Sequence, residues 1–451
     1  MFTSINPFTQ ETIAVYTAHT PQEIDQKLEL GYRAYRQMLQ IPLEQRREWM
    51  KQVAQSLKKD VDKHAALITS EMGKTLKEAR AEVLKCAATA EYYAENIQDM
   101  LAPRPIKSDA YKSYVSYEPK GIILAIMPWN FPYWQVFRFA IPNILAGNTG
   151  LLKHASNVSG CALAIEKLFA ESNFPEGAFQ SVLVSSKDLE PIVADPRVQG
   201  VTLTGSTPAG RSVAALAGKY IKKTVLELGG SDPFIVLKDA DLEAAAKTAV
   251  QGRMQNAGQS CIAAKRWIVE KEVVHAFTAE VKRIIESLQQ GDPTKEATNM
   301  GPMARLDLAE ELNKQLQASI AEGAELLTGG YHDGCNFAPT LLKGVNVSTT
   351  AFKEETFGPL AVIIEAANEE DAISLANETN FGLGSALWTS DLDKAARLAT
   401  QIESGNVFIN AMVRSDARLP FGGVKESGYG RELSLEGTHE FLNIKTVYIQ
   451  Q

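Results

Sequence analysis

The sequence predicts an α/β protein that contains two doubly wound domains and one small β element. Short, continuous apolar runs end in turns, as expected for parallel strands that are buried on both faces. Amphipathic helical stretches separate these runs, and the alternation is repeated on both sides of Glu227. The length of 451 residues is also too great for one ordinary hydrophobic core.

The first hundred residues are predicted to be largely helical. Thr20 has the features of an N-cap, because Pro21 follows at the first helical position and Glu23 at the third. From there to Met100, charged residues alternate with Ala and Leu, which favours several amphipathic helices. Residues 111–117 alternate polar and apolar side chains, which predicts an exposed antiparallel strand that could also pair with another subunit.

The rest of the chain alternates between strands and helices. Strands are predicted at residues 121–127, 150–153, 200–205, 224–228, 233–237, 266–269, 360–365 and 405–410. Helices are predicted at residues 159–172, 209–220 and 308–322. Because right-handed crossovers connect parallel strands, this order favours two open sheets that meet near Glu227. Residues 420–432 are rich in glycine and show neither the helical nor the strand pattern of apolar residues. They are expected to form a functional loop.

Composition and charge exclude several classes of protein. An apolar fraction of 45% with 22% charged residues is typical of a soluble globular protein. A net charge of −8 argues against nucleic-acid binding, which needs a concentrated basic surface. The four cysteines form neither a CxxC motif nor a Cys/His cluster, so we expect no metal site and a reducing cytoplasm. We also expect no signal peptide and no membrane span.

Cys261 is the most informative residue for function. A lone cysteine is usually a small buried hydrophobic residue. Here it stands in Asn-Ala-Gly-Gln-Ser-Cys, and the motif Glu-Leu-Gly-Gly begins upstream at Glu227. Glu227 comes at a predicted strand end and is either a surface charge or a base. If the two motifs converge, the chain has a nucleophile, a base and backbone donors in one place.

Other polar residues also come at predicted strand ends or turns. Asn130 could donate to a developing oxyanion or cap the following helix. Lys153 could bind a ligand at the end of its strand or remain a solvated lysine. Residues 204–210 could bind a phosphate at a helix N-terminus, or form an ordinary capped turn. Glu355, in Glu-Glu-Thr-Phe-Gly-Pro, belongs to an acidic loop or binds ribose hydroxyls.

The order of these motifs resembles the aldehyde dehydrogenase superfamily over nearly the whole chain, and most closely the bacterial succinate-semialdehyde dehydrogenases. The motifs are Pro-Trp-Asn at 128–130, Lys153, Gly205 and Gly210, Glu-Leu-Gly-Gly at 227–230, Gly-Gln-Ser-Cys at 258–261, Glu-Glu-Thr-Phe-Gly-Pro at 354–359 and Pro-Phe-Gly-Gly at 420–423. The resemblance implies two Rossmann-like domains and an oligomerisation element. These are a cofactor-binding domain at residues 1–106 and 121–227, a catalytic domain at 228–430, and the oligomerisation element at 107–120 and 431–451.

The resemblance also implies the reaction, which is the NAD(P)-dependent oxidation of an aldehyde to an acid through a thiohemiacetal and a thioester. Cys261 would attack the aldehyde, Asn130 would hold the oxyanion together with the Cys261 backbone N–H, and Glu227 would activate the hydrolytic water. Relatives that transfer the acyl group to coenzyme A commonly lack this base, so release of a free acid is expected. The residues implied to bind NADP or NAD are Trp129, Lys153, Gly205, Ser206, Glu355 and Phe357.

Ser156 bears on the choice of cofactor. Many NAD-preferring relatives have a Glu at this position, and its carboxylate would repel a 2′-phosphate. Ser156, beside Lys153, could instead accept that phosphate. We therefore expect NADP to be tolerated or preferred.

Arg138 bears on the choice of aldehyde. It matches an arginine that binds the substrate carboxylate in several succinate-semialdehyde enzymes, and Ser415 matches a serine that assists it. Gln255 stands where some of these enzymes have a second arginine. The alternative for Arg138 is an internal salt bridge. Phe139 replaces a lysine that forms a proton relay in many relatives, so a relay through Glu432 is not expected.

The leading prediction is therefore a dehydrogenase of a small carboxylated aldehyde, with no nucleic-acid or membrane partner. A dehydrogenase of another short or uncharged aldehyde, a cysteine hydrolase and a non-catalytic binding protein are the alternatives. The hydrolase is disfavoured because no histidine stands in a motif. The resemblance further implies a homodimer or homotetramer, in which the hairpin at 107–120 and the strand near Thr446 pair across subunits.

Overall fold

A computed structural model describes all 451 residues and contains two open, largely parallel sheets. The N-terminal sheet has six strands, in the order Gly428–Tyr429, Lys223–Glu227, Val198–Thr204, Ile122–Met127, Thr149–His154 and Phe179–Ser181. The C-terminal sheet has seven, in the order Glu325–Thr328, Thr340–Lys343, Leu360–Ala366, Ala264–Glu270, Asp232–Val236, Gly384–Trp388 and Asn406–Ile409. Only the first strand of each order is antiparallel to its neighbour. The predicted fold class is confirmed.

Helices cover both sheets. Those of the first hundred residues are Pro21–Met38, Leu43–Lys59, Val61–Met72 and Leu76–Met100. The later helices are Trp134–Ala146, Ser159–Ala170, Glu190–Ala194, Thr207–Lys219, Leu242–Met254, Val274–Glu286, Leu306–Ala321, Thr350–Lys353, Glu369–Asn377, Leu392–Ala399 and Ser434–His439, with 3-10 turns at Ser156–Val158, Ser186–Asp188 and Gln255–Gly258. Thr20 begins the first helix as predicted, through a capping box with Glu23. No helix is both long enough and apolar enough to cross a membrane.

Helix Trp134–Ala146 is the most enclosed element, and all 13 of its residues are buried. It packs against helices Leu43–Lys59 and Leu76–Met100 and against strands of the N-terminal sheet. A polar residue in such a position needs a partner or a cavity, because an unpaired buried polar group is costly. Arg138 lies in the middle of this helix and therefore has to meet that requirement.

The small β element is a three-stranded sheet, in the order Leu442–Ile449, Lys112–Pro119 and Arg104–Pro105. The C-terminal strand and the 112–119 strand pair with each other within one chain, whereas the resemblance implied that they pair across subunits. Seven of the eight residues of the C-terminal strand are exposed or half-buried. Neither face of that strand is therefore fully covered by the chain itself.

The remaining strands are short. The N-terminus forms the hairpin Phe2–Ile5 with Thr12–Tyr16, and two-residue strands pair His332–Asp333 with Asn336–Phe337 and Phe381–Gly382 with Val424–Lys425. The glycine-rich loop expected at residues 420–432 is thus not wholly irregular, because Val424–Lys425 and Gly428–Tyr429 both pair with other strands. These pairings hold the loop against the end of the N-terminal sheet.

The two sheets meet edge to edge. In the N-terminal sheet, strand Ile122–Met127 has Thr149–His154 on one side and Val198–Thr204 on the other, which makes its carboxyl end the switch point where ligands bind. Strand Lys223–Glu227 ends at this edge, and Asp232–Val236 of the C-terminal sheet begins after only four intervening residues. The carboxyl edge of the first sheet therefore faces the amino edge of the second.

Candidate active site between the two sheets

Cys261 lies in a tight loop that connects helix Leu242–Met254 to strand Ala264–Glu270. Gly258 has a φ of +71°, and a Cβ atom there would lie 2.2 Å from the carbonyl oxygen of Gly358. Only glycine fits this close backbone approach. The glycine in the Cys261 motif therefore has a structural reason, which is to let the loop pack against Gly358.

Hydrogen bonds fix the rest of the loop. The Asn256 side-chain amide donates to the carbonyl oxygens of Asn130 at 2.8 Å and of Gln259 at 3.1 Å. The Lys265 ammonium donates to the carbonyl oxygen of Cys261 at 2.7 Å. These bonds join the loop before Cys261 to the switch point of the other sheet and leave the sulfur little freedom to move.

Two cavities share Cys261 as a lining residue. The edge cavity, about 250 Å³, is lined by Trp129, Asn130, Gly205, Ser206, Glu355 and Phe357, among others. The helix cavity, about 230 Å³, is lined by Lys85, Trp134, Arg138, Gln255, Ser415 and Phe421, among others. The sulfur can therefore meet a ligand from either cavity. Most sequence-predicted residues line one of the two, but Glu227, Lys153 and Ser156 line neither.

The Cys261 thiol is not activated by its surroundings alone. Burial raises its pKa to about 11, although Arg138 and Lys265 act in the opposite direction. The thiol is therefore protonated near neutral pH. A nucleophilic role requires a base that accepts its proton.

Glu227 is the last residue of its strand and is buried, so it is not the surface charge that the sequence left open as an alternative. Neither carboxyl oxygen has a hydrogen-bond partner. Burial, and then the neighbouring Glu432, raise its pKa well above the ordinary value. The carboxyl lies beside Gly422, where a Cβ atom would be 2.7 Å from Oε1, and it forms no hydrogen bond to Cys261. The carboxyl group of the candidate base is thus turned toward the 420–432 loop.

Asn130 follows the switch-point strand and faces the edge cavity. Its Nδ2 group donates to the carbonyl oxygen of Gln259 at 3.0 Å, which leaves its second N–H without a protein acceptor. The capping alternative is wrong, because the next helix begins after Tyr133 with no side-chain cap. The backbone N–H of Cys261 also has no acceptor within the chain. Two free donors therefore flank the sulfur.

Glu355 is held at the edge cavity by the Glu-Leu-Gly-Gly motif. Its Oε1 accepts from the Gly230 N–H at 3.1 Å and pairs with the Lys265 ammonium, also at 3.1 Å. A Cβ atom at Gly229 would lie 2.2 Å from Oε2, so the close approach requires glycine. The glycines thus place a carboxylate at the cavity.

Free donors surround the carboxyl edge of the N-terminal sheet. Lys153 is half-buried, and burial lowers its pKa with no charged neighbour contributing. Ser156 is exposed at the start of a 3-10 turn and makes no side-chain cap. The hydroxyl of Ser206, at the N-cap of helix Thr207–Lys219, makes no capping bond either. Unpaired donors beside a helix N-terminus suit a phosphorylated ligand.

Arg138 is both a cavity residue and a salt-bridge partner. Its Nε group pairs with the buried carboxylate of Glu432, and its Nη2 group donates to Thr204 Oγ1 at 3.2 Å. The internal salt bridge weighed from the sequence is therefore present, while the guanidinium still lines the helix cavity. Arg138 takes the place of the lysine missing at Phe139 as the partner of Glu432.

Lys85 is a site residue that the sequence did not reveal. It lies on helix Leu76–Met100, and its Nζ group donates to Ser415 Oγ at 2.8 Å and lies 3.9 Å from the centre of the Trp134 ring. Nothing in its local sequence distinguishes it from the exposed lysines of the same helix, such as Lys77. Only the fold shows that it reaches the helix cavity.

The comparisons with known proteins agree with this geometry. Residues 1–447 match the model of the aldehyde dehydrogenase family. The chain is 49% identical over 452 residues to succinate-semialdehyde dehydrogenase (NADP(+)) 1 of Mycobacterium tuberculosis, with 99% of each chain covered. Among solved structures, it is similar to succinic semialdehyde dehydrogenase from Streptococcus pyogenes in complex with NADP+, with a TM-score of 0.98, 37% identity and full coverage of both chains. It is also similar to succinate-semialdehyde dehydrogenase from Burkholderia pseudomallei, with a TM-score of 0.97, 32% identity, and 100% and 94% coverage. The chain therefore belongs to the aldehyde dehydrogenase family.

Proposed function

We propose that this chain oxidises succinate semialdehyde to succinate and uses NADP in preference to NAD. The observation that carries the proposal is the position of Cys261, which lines both a cavity with free donors at a sheet edge and a cavity that contains cationic side chains. The relatives compared above are named for this substrate and cofactor. The cations of the helix cavity suit an aldehyde whose far end is a carboxylate.

The first step is the addition of the Cys261 sulfur to the aldehyde carbon. The thiol gives up its proton to solvent water, a C–S bond forms as the C–O π bond breaks, and the carbonyl oxygen becomes an oxyanion. The second N–H of Asn130 and the backbone N–H of Cys261 both lack acceptors and are the donors that would stabilise this charge. Such fixed donors are effective because they need no reorganisation during the reaction.

The residues at the sheet edge fit a nicotinamide cofactor. When bound, NADP supplies the oxidant, by accepting a hydride from the carbon that is attached to sulfur. Lys153 and Ser156 would hold the adenosine ribose and its phosphate, and Ser206 with the Gly205 turn would hold the pyrophosphate. Glu355 would bind the nicotinamide ribose. Trp129 and Phe357, whose rings meet edge to face at 5.8 Å, would line the nicotinamide side.

The last step is hydrolysis of the thioester that the oxidation leaves on Cys261. Glu227 takes a proton from water, the resulting hydroxide adds to the acyl carbon, and the sulfur leaves as a thiolate. Glu227 would turn from Gly422 toward the sulfur for this step, and no hydrogen bond of its carboxyl group has to break. Because burial raises its pKa, Glu227 is a stronger base toward water, once it has lost its own proton, than an exposed carboxylate would be.

A small panel of aldehydes, measured against both cofactors at 340 nm, tests the proposal. We expect kcat/KM to be highest for succinate semialdehyde with NADP, and to be lower by about tenfold or more for propanal, because one charged hydrogen bond contributes about that much. A kcat/KM about tenfold better with NAD would contradict the cofactor assignment. Equal values for both aldehydes would contradict the substrate assignment.

Arg138→Ala tests the carboxylate contact within the same panel. The KM for succinate semialdehyde should rise far more than the KM for propanal. Because this substitution leaves Glu432 buried without its partner, the double variant Arg138→Ala with Glu432→Gln is the control that removes both charges. Equal losses for both aldehydes in the double variant would refute the carboxylate role of Arg138.

We further infer that the three-stranded sheet joins copies of the chain into a homodimer or homotetramer. Tyr111, Ile444 and Tyr448 belong to this sheet or its hairpin and are 71%, 59% and 48% exposed. Large apolar side chains grouped on one small element favour an interface between protein chains. A second copy of the same sheet is the partner that the family resemblance suggests.

A further inference from the structure

The helix cavity contains a lysine that no carboxylate of the chain neutralises. Glu82 and Asp416 act on Lys85 electrostatically, Glu78 also lines the cavity, and all three have other partners. Glu78 accepts from the backbone N–H groups of Thr75 at 3.2 Å and of Asn256 at 2.7 Å. Glu82 pairs with the Lys74 ammonium at 2.5 Å and accepts from the backbone N–H groups of Tyr133 and Trp134. Asp416 pairs with Arg418 at 2.6 Å. The only polar partner of the Lys85 ammonium is the neutral hydroxyl of Ser415, at 2.8 Å.

Ser415 is set up as a donor toward the same cavity. It is buried, and its oxygen accepts two hydrogen bonds, from Lys85 Nζ at 2.8 Å and from Trp134 Nε1 at 3.0 Å. A hydroxyl group offers two acceptor positions and one proton. Both acceptor positions are therefore filled, and the proton has no acceptor within the chain. A ligand anion in the cavity would provide that acceptor.

The other cations of the cavity are differently placed. Arg138 is paired with the Glu432 carboxylate, so its charge is largely balanced within the protein. Arg414 lines the cavity but is exposed, and water weakens its interaction with a ligand. Lys85 is partly enclosed, and no carboxylate of the chain forms an ion pair with its ammonium group. A cation in that position favours binding of a negatively charged group beside it.

We propose that Lys85, with Ser415, binds the carboxylate at the far end of the aldehyde and is the main determinant of specificity for a carboxylated substrate. Arg138 then acts from the other side of the cavity while it remains paired with Glu432. The inference rests on the proposed oxidation of succinate semialdehyde and adds the residue that recognises the carboxylate of the substrate. Trp134, whose ring lies under the ammonium at 3.9 Å, keeps the Lys85 side chain directed into the cavity.

The titration of Lys85 supplies an independent readout. Burial, and then Arg138, lower its pKa to about 8, whereas Cys86, Glu82 and Asp416 act in the opposite direction. The free enzyme therefore carries the charge below about pH 8 and loses it above. The KM for a carboxylated aldehyde should rise as the pH increases through this range. The KM for an uncharged aldehyde should not follow the same profile.

The test compares Lys85→Met and Lys85→Arg with the wild type, using succinate semialdehyde and butanal, which share a four-carbon chain. Methionine keeps the length of the side chain and removes the charge. We expect kcat/KM for succinate semialdehyde to fall about 10- to 100-fold in Lys85→Met, while the value for butanal stays within about threefold. Lys85→Arg should recover most of the loss and abolish the rise of KM near pH 8. The exposed Lys77→Met variant on the same helix is the matched control and should behave as wild type.

The outcomes separate this inference from the proposed function. If the wild type itself does not prefer succinate semialdehyde over butanal, the substrate assignment fails. If the wild type has the preference and Lys85→Met keeps it, only the role of Lys85 is refuted. An equal loss for both aldehydes in Lys85→Met, with Lys85→Arg equally impaired, would show a structural role and would also refute the inference.

Discussion

At the scale of single residues, the chemistry depends on groups whose protonation the fold has shifted. The pKa values of the half-buried Cys261 thiol and the buried Glu227 carboxyl are both raised, chiefly because removal from water disfavours their charged forms. Burial keeps each group neutral until its partner or the substrate arrives. In the proposed mechanism this protects the resting site from side reactions of a thiolate, and the nucleophile forms only when a proton acceptor is in place.

This state of Cys261 predicts how the thiol reacts with iodoacetamide. The thiolate fraction, and with it the rate of alkylation, should rise about tenfold per pH unit up to a pKa of about 11. Labelling should be selective, since Cys86, Cys161 and Cys335 are all buried and burial raises the pKa of each thiol. Peptide mass spectrometry at a series of pH values measures this, with Cys261→Ser as the control. A rate that is already constant near neutral pH would contradict the prediction.

Glu227→Gln should separate the two halves of the reaction. The amide keeps the shape of the side chain but cannot accept the proton of water, so the thioester should accumulate on Cys261. We expect a rapid burst of NADPH close to one per active site, followed by a steady-state rate lowered by about 100-fold or more. Stopped-flow absorbance and intact-mass spectrometry check both parts. Glu426→Gln is the control, since this half-buried carboxylate of the neighbouring loop pairs with Arg211. An unchanged steady-state rate in Glu227→Gln would rule out Glu227 as the base.

The residues that sequence alone predicted are those that occur in motifs. Cys261, Glu227 and Glu355 stand beside glycines, and the close approaches at Gly258 and Gly229 give the physical reason for those patterns. Lys85 could not be predicted in this way, and for Arg138 an internal salt bridge was an alternative but its partner Glu432 was not named. Their roles depend on which side chains the packing brings together across hundreds of positions, and the local sequence around them carries no sign of it.

At the scale of elements, the ends of strands gave more information about the candidate site residues than the interiors of strands did. The alternation of strands and helices was predictable because each kind of element has its own hydrophobic period. The short strands at residues 424–425 and 428–429 were not, because two-residue pairings leave no period in the sequence. The free donors Lys153 and Ser156 both follow from the position of one strand end.

Ser156→Glu tests the function of that strand end. A carboxylate at the start of the 3-10 turn would lie beside the place proposed for the 2′-phosphate and would repel it. We expect kcat/KM with NADP to fall by about tenfold or more, with little change for NAD. Cofactor titrations with succinate semialdehyde at saturation measure the ratio, and Ser156→Ala is the control for loss of the hydroxyl alone. An equal fall for both cofactors would mean that Ser156 does not discriminate between them.

At the scale of the whole molecule, the active site exists only because two sheets meet. The carboxyl edge of one supplies Asn130 and the proposed cofactor site, and the amino edge of the other supplies Cys261 and Glu355. The sequence indicated the meeting point near Glu227, since the chain passes there from one alternating region to the next. It could not give the shape of the two cavities, which depends on how helix Trp134–Ala146 is enclosed.

The exposed three-stranded sheet predicts the assembly in solution. Light scattering after size exclusion should give a mass of two or four times 49.3 kDa. Ile444→Asp places a charge on the C-terminal strand and should shift the mass toward a single chain, since an unpaired charge is unfavourable at an apolar interface. Val347→Asp changes another exposed apolar residue outside this sheet and is the control. A wild-type mass of 49.3 kDa would contradict the proposed interface.

Because Cys261 borders two separate cavities, substitutions can change the aldehyde specificity of the chain without changing its cofactor specificity. Lys85 and Ser156 have no hydrogen-bond partner in common. Lys85 lines the helix cavity, whereas Ser156 lies at the carboxyl edge of the N-terminal sheet. Substitutions at two such positions should combine additively in their free energies. A few substitutions in the helices that line the helix cavity can therefore alter the preferred aldehyde, while the preference for NADP over NAD stays the same.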